Sequence, residues 1–194
     1  MTTTTATQPN TRNFNGLDIP EAGSFAIDTS HSAAAFSVKH LVVAKTRGRF
    51  TDFAGTVTID NDPLKSSVEV TINAASITTG DDTRDAHLRN PDFLDVEKYP
   101  TLTYKSTSVR HVKGENFVVD GDLTIAGVTK PVALNLEYQG VVTDPWGGTR
   151  AVFNASTKIN REDFGLTYNQ VLETGGVLVG KDITIELEVE AVKQ

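Results

Sequence analysis

Thr79–Pro100, TGDDTRDAHLRNPDFLDVEKYP, interrupts two long runs of alternating residues and is the one segment of the chain with a helical pattern. Asp81 is placed to cap a helix N-terminus, with Asp82 in the first turn to complement its exposed N–H groups. Asp85 and Arg89 stand four apart and can pair, while Arg84 and Leu88 share another face. Asn90-Pro91 stops the helix, because proline disfavours helical geometry at the residue before it. The same dipeptide can start a new turn, Asn90 as cap and Pro91 at the first helical position, and that turn carries Phe93 and Leu94. A helical insertion near residues 81–96 between two runs of strands predicts a plug or lid on a sheet structure.

Working outward, the pattern has period two. Towards the N-terminus, Ser66–Asn73 sets Val68, Val70 and Ile72 against Ser67, Glu69 and Thr71, and Asn61-Asp62-Pro63 marks a turn. Arg47–Asp60 alternates Phe53, Gly55, Val57 and Ile59 with Ala54, Thr56 and Thr58. Ser32–Val43 carries Phe36, Val38, His40 and Val42 on one face, and Ser24–Asp28 is a short strand before it. Towards the C-terminus, Leu102 and Tyr104, then Phe117, Val119, Leu123 and Ile125, then Val132, Leu134, Leu136 and Tyr138 alternate with polar residues. Phe153, Ala155 and Ile159, and finally Ile183, Ile185, Leu187 and Val189, complete the series.

This is the signature of antiparallel strands with one wet face. Many of the strands reach about ten residues, each spanning roughly 30 Å. A sheet of eight long strands with no second sheet to cover it is best closed on itself, which removes its edges. The expected fold is therefore all-β, an eight-stranded antiparallel barrel with one short helical insertion. Ala34, Gly55, Gly121 and Ala155 are small residues on the inward face and suggest a lengthwise channel.

A chain of 194 residues suits a single domain of this kind. Its net charge of −7 and pI near 5.0 argue against nucleic acid or an anionic membrane as main partner. The absence of cysteine excludes disulfides, thiolate metal sites and cysteine nucleophiles. Residues 1–22 form a threonine-rich polar stretch without the apolar core of a secretory signal, read as a disordered tail, with residues 23–194 as the barrel domain. No run is long enough to cross a bilayer, so a soluble cytoplasmic protein is expected.

Chemistry-bearing residues are scattered. His31, His40, His87 and His111 show no zinc-pair spacing. His40 shares the face of Phe36 and Val38, and reads first as a core histidine satisfied by a backbone or carboxylate partner. His31 lies beside Asp28 and Ser32, but no nucleophile elbow accompanies them. Arg84, Asp85 and His87 form a salt-bridged helix face or, with Arg49, a cationic mouth for the polar end of a ligand. Glu173–Gly180 lacks the Lys-Ser/Thr ending of a phosphate loop and reads as a loop before the last strand. Trp146 is expected to anchor its turn by packing. Nothing assembles a nucleophile, base and oxyanion donor, so no enzyme, metal or cofactor is expected.

An ordered set of motifs goes further: Asp28-Thr29-Ser30-His31-Ser32, Phe36-Ser37-Val38-Lys39-His40, Arg47-Gly48-Arg49-Phe50, Ser76-Ile77-Thr78-Thr79, Arg84-Asp85, His87-Leu88, Asp92-Phe93, Tyr99-Pro100, Gly121 through Thr129, Asn160-Arg161 and Asp163-Phe164-Gly165. In these the chain resembles the YceI-like family of small lipid-binding β-barrels, also called polyisoprenoid-binding proteins, from Gly23 to about Val192. The resemblance implies a lipocalin-like barrel holding a long-chain amphiphile: a polyisoprenoid, an isoprenoid quinone or a fatty amide. On that reading Phe36, Val38, His40, Phe53, Val70, Leu88, Phe93, Tyr104, Phe153 and Phe164 contact the ligand, and Arg49, Arg84 and His87 meet its polar end. A homodimer is a further expectation by family analogy. The alternatives are a stress-linked barrel filled by its own side chains, or an enzyme using His40 or His31 as base on a bound lipid.

Overall fold

The computed structural model describes residues 10–41, 44–171 and 177–194. Alternation becomes a tube here because every wall strand turns its apolar set to the same side. The elements that make the wall are β3 (Gly23–Ile27), β4 (Ala33–His40), β5 (Ala44–Phe50), β6 (Phe53–Ile59), β7 (Ser67–Asn73) and β8 (Ile77–Thr78), then β9 (Thr101–Lys113), β10 (Asn116–Ile125), β11 (Val128–Thr143), β12 (Thr149–Asn160) and β13 (Val179–Lys193). All pairings are antiparallel, and the pairing of β12 with β13 closes the barrel.

The strand count is eight because three positions in the wall are composite. β13 pairs with β3 through residues 191–193 and with β4 through residues 179–188. In the same way β6 and β5 share one position, and β7 and β8 another. The stretch 47–60, expected as one strand, breaks at Thr51-Asp52. There the Thr51 amide donates to the Ser76 carbonyl at 3.2 Å, and the Asp52 carboxylate accepts from Asn73 Nδ2 at 2.8 Å. These bonds fix the bend and let one sheet serve two neighbours. The small inward residues prove to be seats for rings as well as space. A Cβ on Gly121 would stand 2.5 Å from the Tyr104 ring, and one on Gly48 would stand 2.4 Å from that of Phe36.

The two ends of the tube are stopped differently. At one end lies a hairpin of β1 (Thr11–Phe14) and β2 (Leu17–Pro20), in the stretch expected to be disordered. Asn15 and Gly16 both adopt positive φ (52° and 88°), the conformation a two-residue primed turn requires. Ile19 is buried against Phe117 and Tyr138, with Phe14 and Leu17 packed alongside. The Arg12 guanidinium donates to the carbonyls of Asp60 and Asn61, tying the hairpin to the β6–β7 turn. Residues 1–9 of the expected tail lie outside the described residues. At the other end sits α1 (Asp82–Arg89), capped by the Asp81 carboxylate, which accepts from the Arg84 amide at 2.9 Å. The helix stops at Asn90, and residues 91–94 follow as a turn.

Trp146 does not anchor its turn. It is 86% exposed, and the β11–β12 connection is held by the Asp144 carboxylate, which accepts from the amides of Trp146 (3.0 Å) and Gly148 (2.8 Å).

Candidate functional site: an apolar cavity along the barrel axis

Inside the wall runs a cavity of about 340 Å³. Ile19 and Pro20 line it at the hairpin end, and Leu88, Phe93 and Leu94 at the helix end. Between them the inward faces of β6, β7, β10, β11, β12 and β13 contribute residues such as Val57, Val70, Val119, Leu134, Ala155 and Leu187. The strand period of two produces this lining directly, since each second side chain along every strand faces the axis.

Of the ten residues expected to contact a ligand, Phe36, Val38, Phe53, Val70, Leu88, Phe93, Tyr104 and Phe153 line this cavity. His40 and Phe164 do not. His40 is the last residue of β4, opposite Ala44 and Val179 at the hairpin to β5. Phe164 is 2% exposed in the 3₁₀ turn after β12, where it packs into the main core.

Arg49, Arg84 and His87, expected at a cationic mouth, do not line the cavity. Arg49 lies exposed on the outer face of β5, because its neighbour Phe50 takes the inward position. Arg84 is exposed and folds back on its own segment, donating from Nε to Thr79 Oγ1 at 2.7 Å and from Nη2 to the Thr79 carbonyl. His87 Nε2 meets Asp92 Oδ2 at 2.9 Å, and its ring stands edge-on to Phe93 and Tyr168. Arg84 and His87 thus brace the helical segment, Arg84 internally and His87 against Asp92, Phe93 and Tyr168.

Asp85 and Arg89 hold it too, but not by pairing with each other. The buried Asp85 carboxylate accepts from the Thr79 amide at 2.8 Å and from Thr79 Oγ1 at 2.5 Å. Arg89 donates to the carbonyls of Ala75 and Ile77, both at 2.8 Å. Burial pushes the Asp85 carboxyl up, and the bonds from Thr79 and Thr78 with the charge of Arg89 more than offset it, leaving a lowered pKa. A depressed carboxyl contributes stability that is complete above its unfolded value of 3.8 and is lost as pH falls through the folded one. Asp85→Asn is therefore expected to weaken the lid at pH 7 by about 1–3 kcal/mol. Amide hydrogen exchange over residues 79–90 checks this: the gap from the parent protein should narrow below about pH 4, and a gap that stays constant with pH rejects the latch.

Two tyrosines cross the cavity wall. Tyr104 donates to the Val119 carbonyl at 2.9 Å, and Tyr138 to that of Asp18 at 2.9 Å. Burial pushes both phenols up, with Asp120 and Asp122 adding to the effect at Tyr104 and Asp18 at Tyr138, so both remain neutral donors.

Outside the barrel, His31 Nδ1 approaches both Asp28 Oδ2 (2.9 Å) and Ser30 Oγ (3.0 Å). With acid and hydroxyl on the same nitrogen, the ring cannot relay a proton between them. Asp28, His31 and Glu190 also bring ligand-type atoms within 4.8 Å of one another. The Arg150 guanidinium already occupies the middle, donating to Asp28 (2.6 Å), Glu190 (2.6 Å) and Asp144 (2.9 Å). Arg150 first, then Ser30 and His31, hold the Asp28 carboxyl far below the usual range. This network fastens strand ends, with Arg150 at its centre.

The sequence match that corresponds to this geometry spans almost the whole tube: the model of the YceI-like domain covers residues 25–191. The chain belongs to the YceI-like family. A UPF0312 protein of Photorhabdus laumondii is 46% identical over 146 residues, which is 74% of this chain and 76% of that one. The crystal structure of the Campylobacter jejuni YceI protein superposes with a TM-score of 0.69 at 32% identity, over 80% of this chain and 90% of that one. A polyisoprenoid-binding domain from Saccharophagus degradans shares the fold at 15% identity and a TM-score of 0.67, covering 90% of this chain and all of that one (100%). The family match begins after the β1–β2 hairpin, so the stopper at that end of this YceI-like barrel is an addition to the matched domain.

Among the described residues no helix is long and apolar enough to cross a membrane.

Among the described residues that line the cavity without having been expected as ligand contacts, one is charged. Arg161 is 2% exposed among apolar neighbours. Its position after a strand and before two acidic residues reads as an ordinary polar turn. The only local signal was its place in the motif Asn160-Arg161.

Proposed function

We propose that this protein binds and shields a long-chain amphiphile of the polyisoprenoid, isoprenoid-quinone or fatty-amide type, without transforming it. The observation that carries the reading is the lengthwise cavity, apolar from Ile19 at one end to Phe93 at the other. Each Å² of apolar chain moved there from water contributes about 25 cal/mol before ordering costs. Membership of the YceI-like family supports the same reading, as does a structural neighbour named for polyisoprenoid binding.

A barrel filled by its own side chains would leave no such space. An enzyme would need a titratable group facing it. Among the described residues those groups are Tyr104, Tyr138 and Arg161; burial pushes both phenols up, which favours the non-catalytic reading. His31 and His40 lie outside the lining.

Native mass spectrometry on protein purified without detergent, followed by solvent extraction, tests the proposal. A discrete lipid adduct is the expected result. A clean ligand-free mass, with added isoprenoids neither binding nor raising the melting temperature, would overturn it.

A further inference from the structure

Arg161 opens the 3₁₀ turn Arg161–Phe164 at the helix end of the barrel, with the turn capped by Asn160 Oδ1 accepting from the Glu162 amide at 3.0 Å. Its guanidinium is held by two backbone carbonyls: Nε donates to Gly180 at 2.9 Å and Nη1 donates to Leu166. Nη2 is buried and has no hydrogen-bond partner among the described residues. The neighbouring Glu162 contributes only its charge and forms no bond to the guanidinium; its carboxylate is engaged by Lys181 at 2.8 Å. Leu166, Val179 and Ile183 line the cavity beside the guanidinium.

A buried guanidinium without a carboxylate is costly, by several kcal/mol for the charge and a further penalty for the unmade hydrogen bond. Carbonyl oxygens orient the group but leave its charge uncompensated. An incoming acceptor restores both the missing bond and, if anionic, the missing charge. Guanidinium favours phosphate and carboxylate oxygens for this reason.

We infer that Arg161 receives the polar end of the bound amphiphile inside the barrel, and that this end carries an anionic oxygen group, phosphate or carboxylate. The inference rests on the lipid-binding reading above and moves the head group from the exposed Arg49 and Arg84 and the half-buried His87 to the cavity wall. A chain anchored at Arg161 lies with its tail running towards Ile19 and the β1–β2 hairpin.

The test uses the full-length protein stripped of lipid and three probes: geranylgeranyl phosphate, geranylgeraniol and inorganic phosphate. The parent protein is expected to bind the lipid phosphate at least about tenfold more tightly than the alcohol, the worth of one charge-assisted hydrogen bond. Arg161→Met should erase that preference by costing the lipid phosphate at least about tenfold more than the alcohol, and Arg161→Lys should keep part of it. Equal binding of the two lipids by the parent protein overturns the anchor, as does a preference that survives in Arg161→Met or an equal loss for both lipids. Should Arg161→Met fail to fold, as judged by circular dichroism, the parent preference and its reduction in Arg161→Lys decide the matter. Binding of inorganic phosphate as tightly as the lipid phosphate means an anion site without a chain, and rejects the inference. Failure of both lipids to bind removes the lipid-binding reading itself, a result distinct from equal binding.

Discussion

Phe164→Ala is expected to cost about 3–5 kcal/mol of folding stability, the usual range for emptying a fully buried aromatic site. The ring is 2% exposed and belongs to the main core with Ile159 and Leu166, in a turn whose backbone is fixed by the Asn160 cap and by Gly165 at φ 80°. Such a site has little freedom to collapse, so the cavity term adds to the transfer term. Phe93→Ala makes the control. That ring lines existing open space, and its removal should widen the cavity with a smaller loss of stability. Urea unfolding of both variants separates the roles. A Phe164→Ala midpoint equal to that of the parent would mean that the turn is not part of the core.

The second large effect is on binding. Ala155 sits midway along β12, opposite Leu136 on one side and Leu187 on the other, and its methyl group faces the cavity. Ala155→Trp puts an indole across the lumen and should weaken binding of a long apolar chain by about 100-fold or more, equivalent to ~3 kcal/mol. The barrel has room for the ring, so the overpacking penalty should stay at or below the low end of about 1–3 kcal/mol. Extraction of the purified variant should yield no lipid while its thermal unfolding remains cooperative. A variant that folds and still carries its full complement of lipid would show that the chain lies elsewhere.

The wall was legible because a half-buried strand writes its geometry into the sequence at period two. Val68, Val70 and Ile72 point inward as their spacing requires, and so do Ile183, Ile185 and Leu187. The helix was legible from Asp81 and Asn90-Pro91, since caps and breakers act through the local backbone. Local patterns say nothing about what a turn packs against. Phe164 and Phe93 are equally apolar, yet one fills the core and the other faces open space, a difference set by distant strands. Arg161 is the sharper instance: only the tertiary fold buries it. The hairpin at residues 11–20 could have been found, because Asn15-Gly16 between two alternating tetrads is a strong hairpin signal. Its polar surroundings concealed Phe14, Leu17 and Ile19. The pairing of Asp85 with Arg89 failed for a related reason. Spacing of four permits the contact, but backbone groups of Thr79, Ala75 and Ile77 compete for both side chains and win.

The order of strands ends at β8, which pairs with β5 alone, while β9 pairs with β7 and β10. At the hairpin end the wall is therefore a continuous hoop of backbone hydrogen bonds. At the helix end the hoop is cut, and the gap between β8 and β9 is spanned by Thr79–Pro100 through side-chain bonds, packing and one backbone bond, from the Ala74 amide to the Pro100 carbonyl at 2.9 Å. Outward pressure is resisted unequally along such a cylinder. The girth of the first rim is fixed by covalent geometry and ladder spacing, whereas that of the second yields as far as its fastening yields. A bulkier occupant would find the weaker resistance at that rim, where no ladder bonds join β8 to β9.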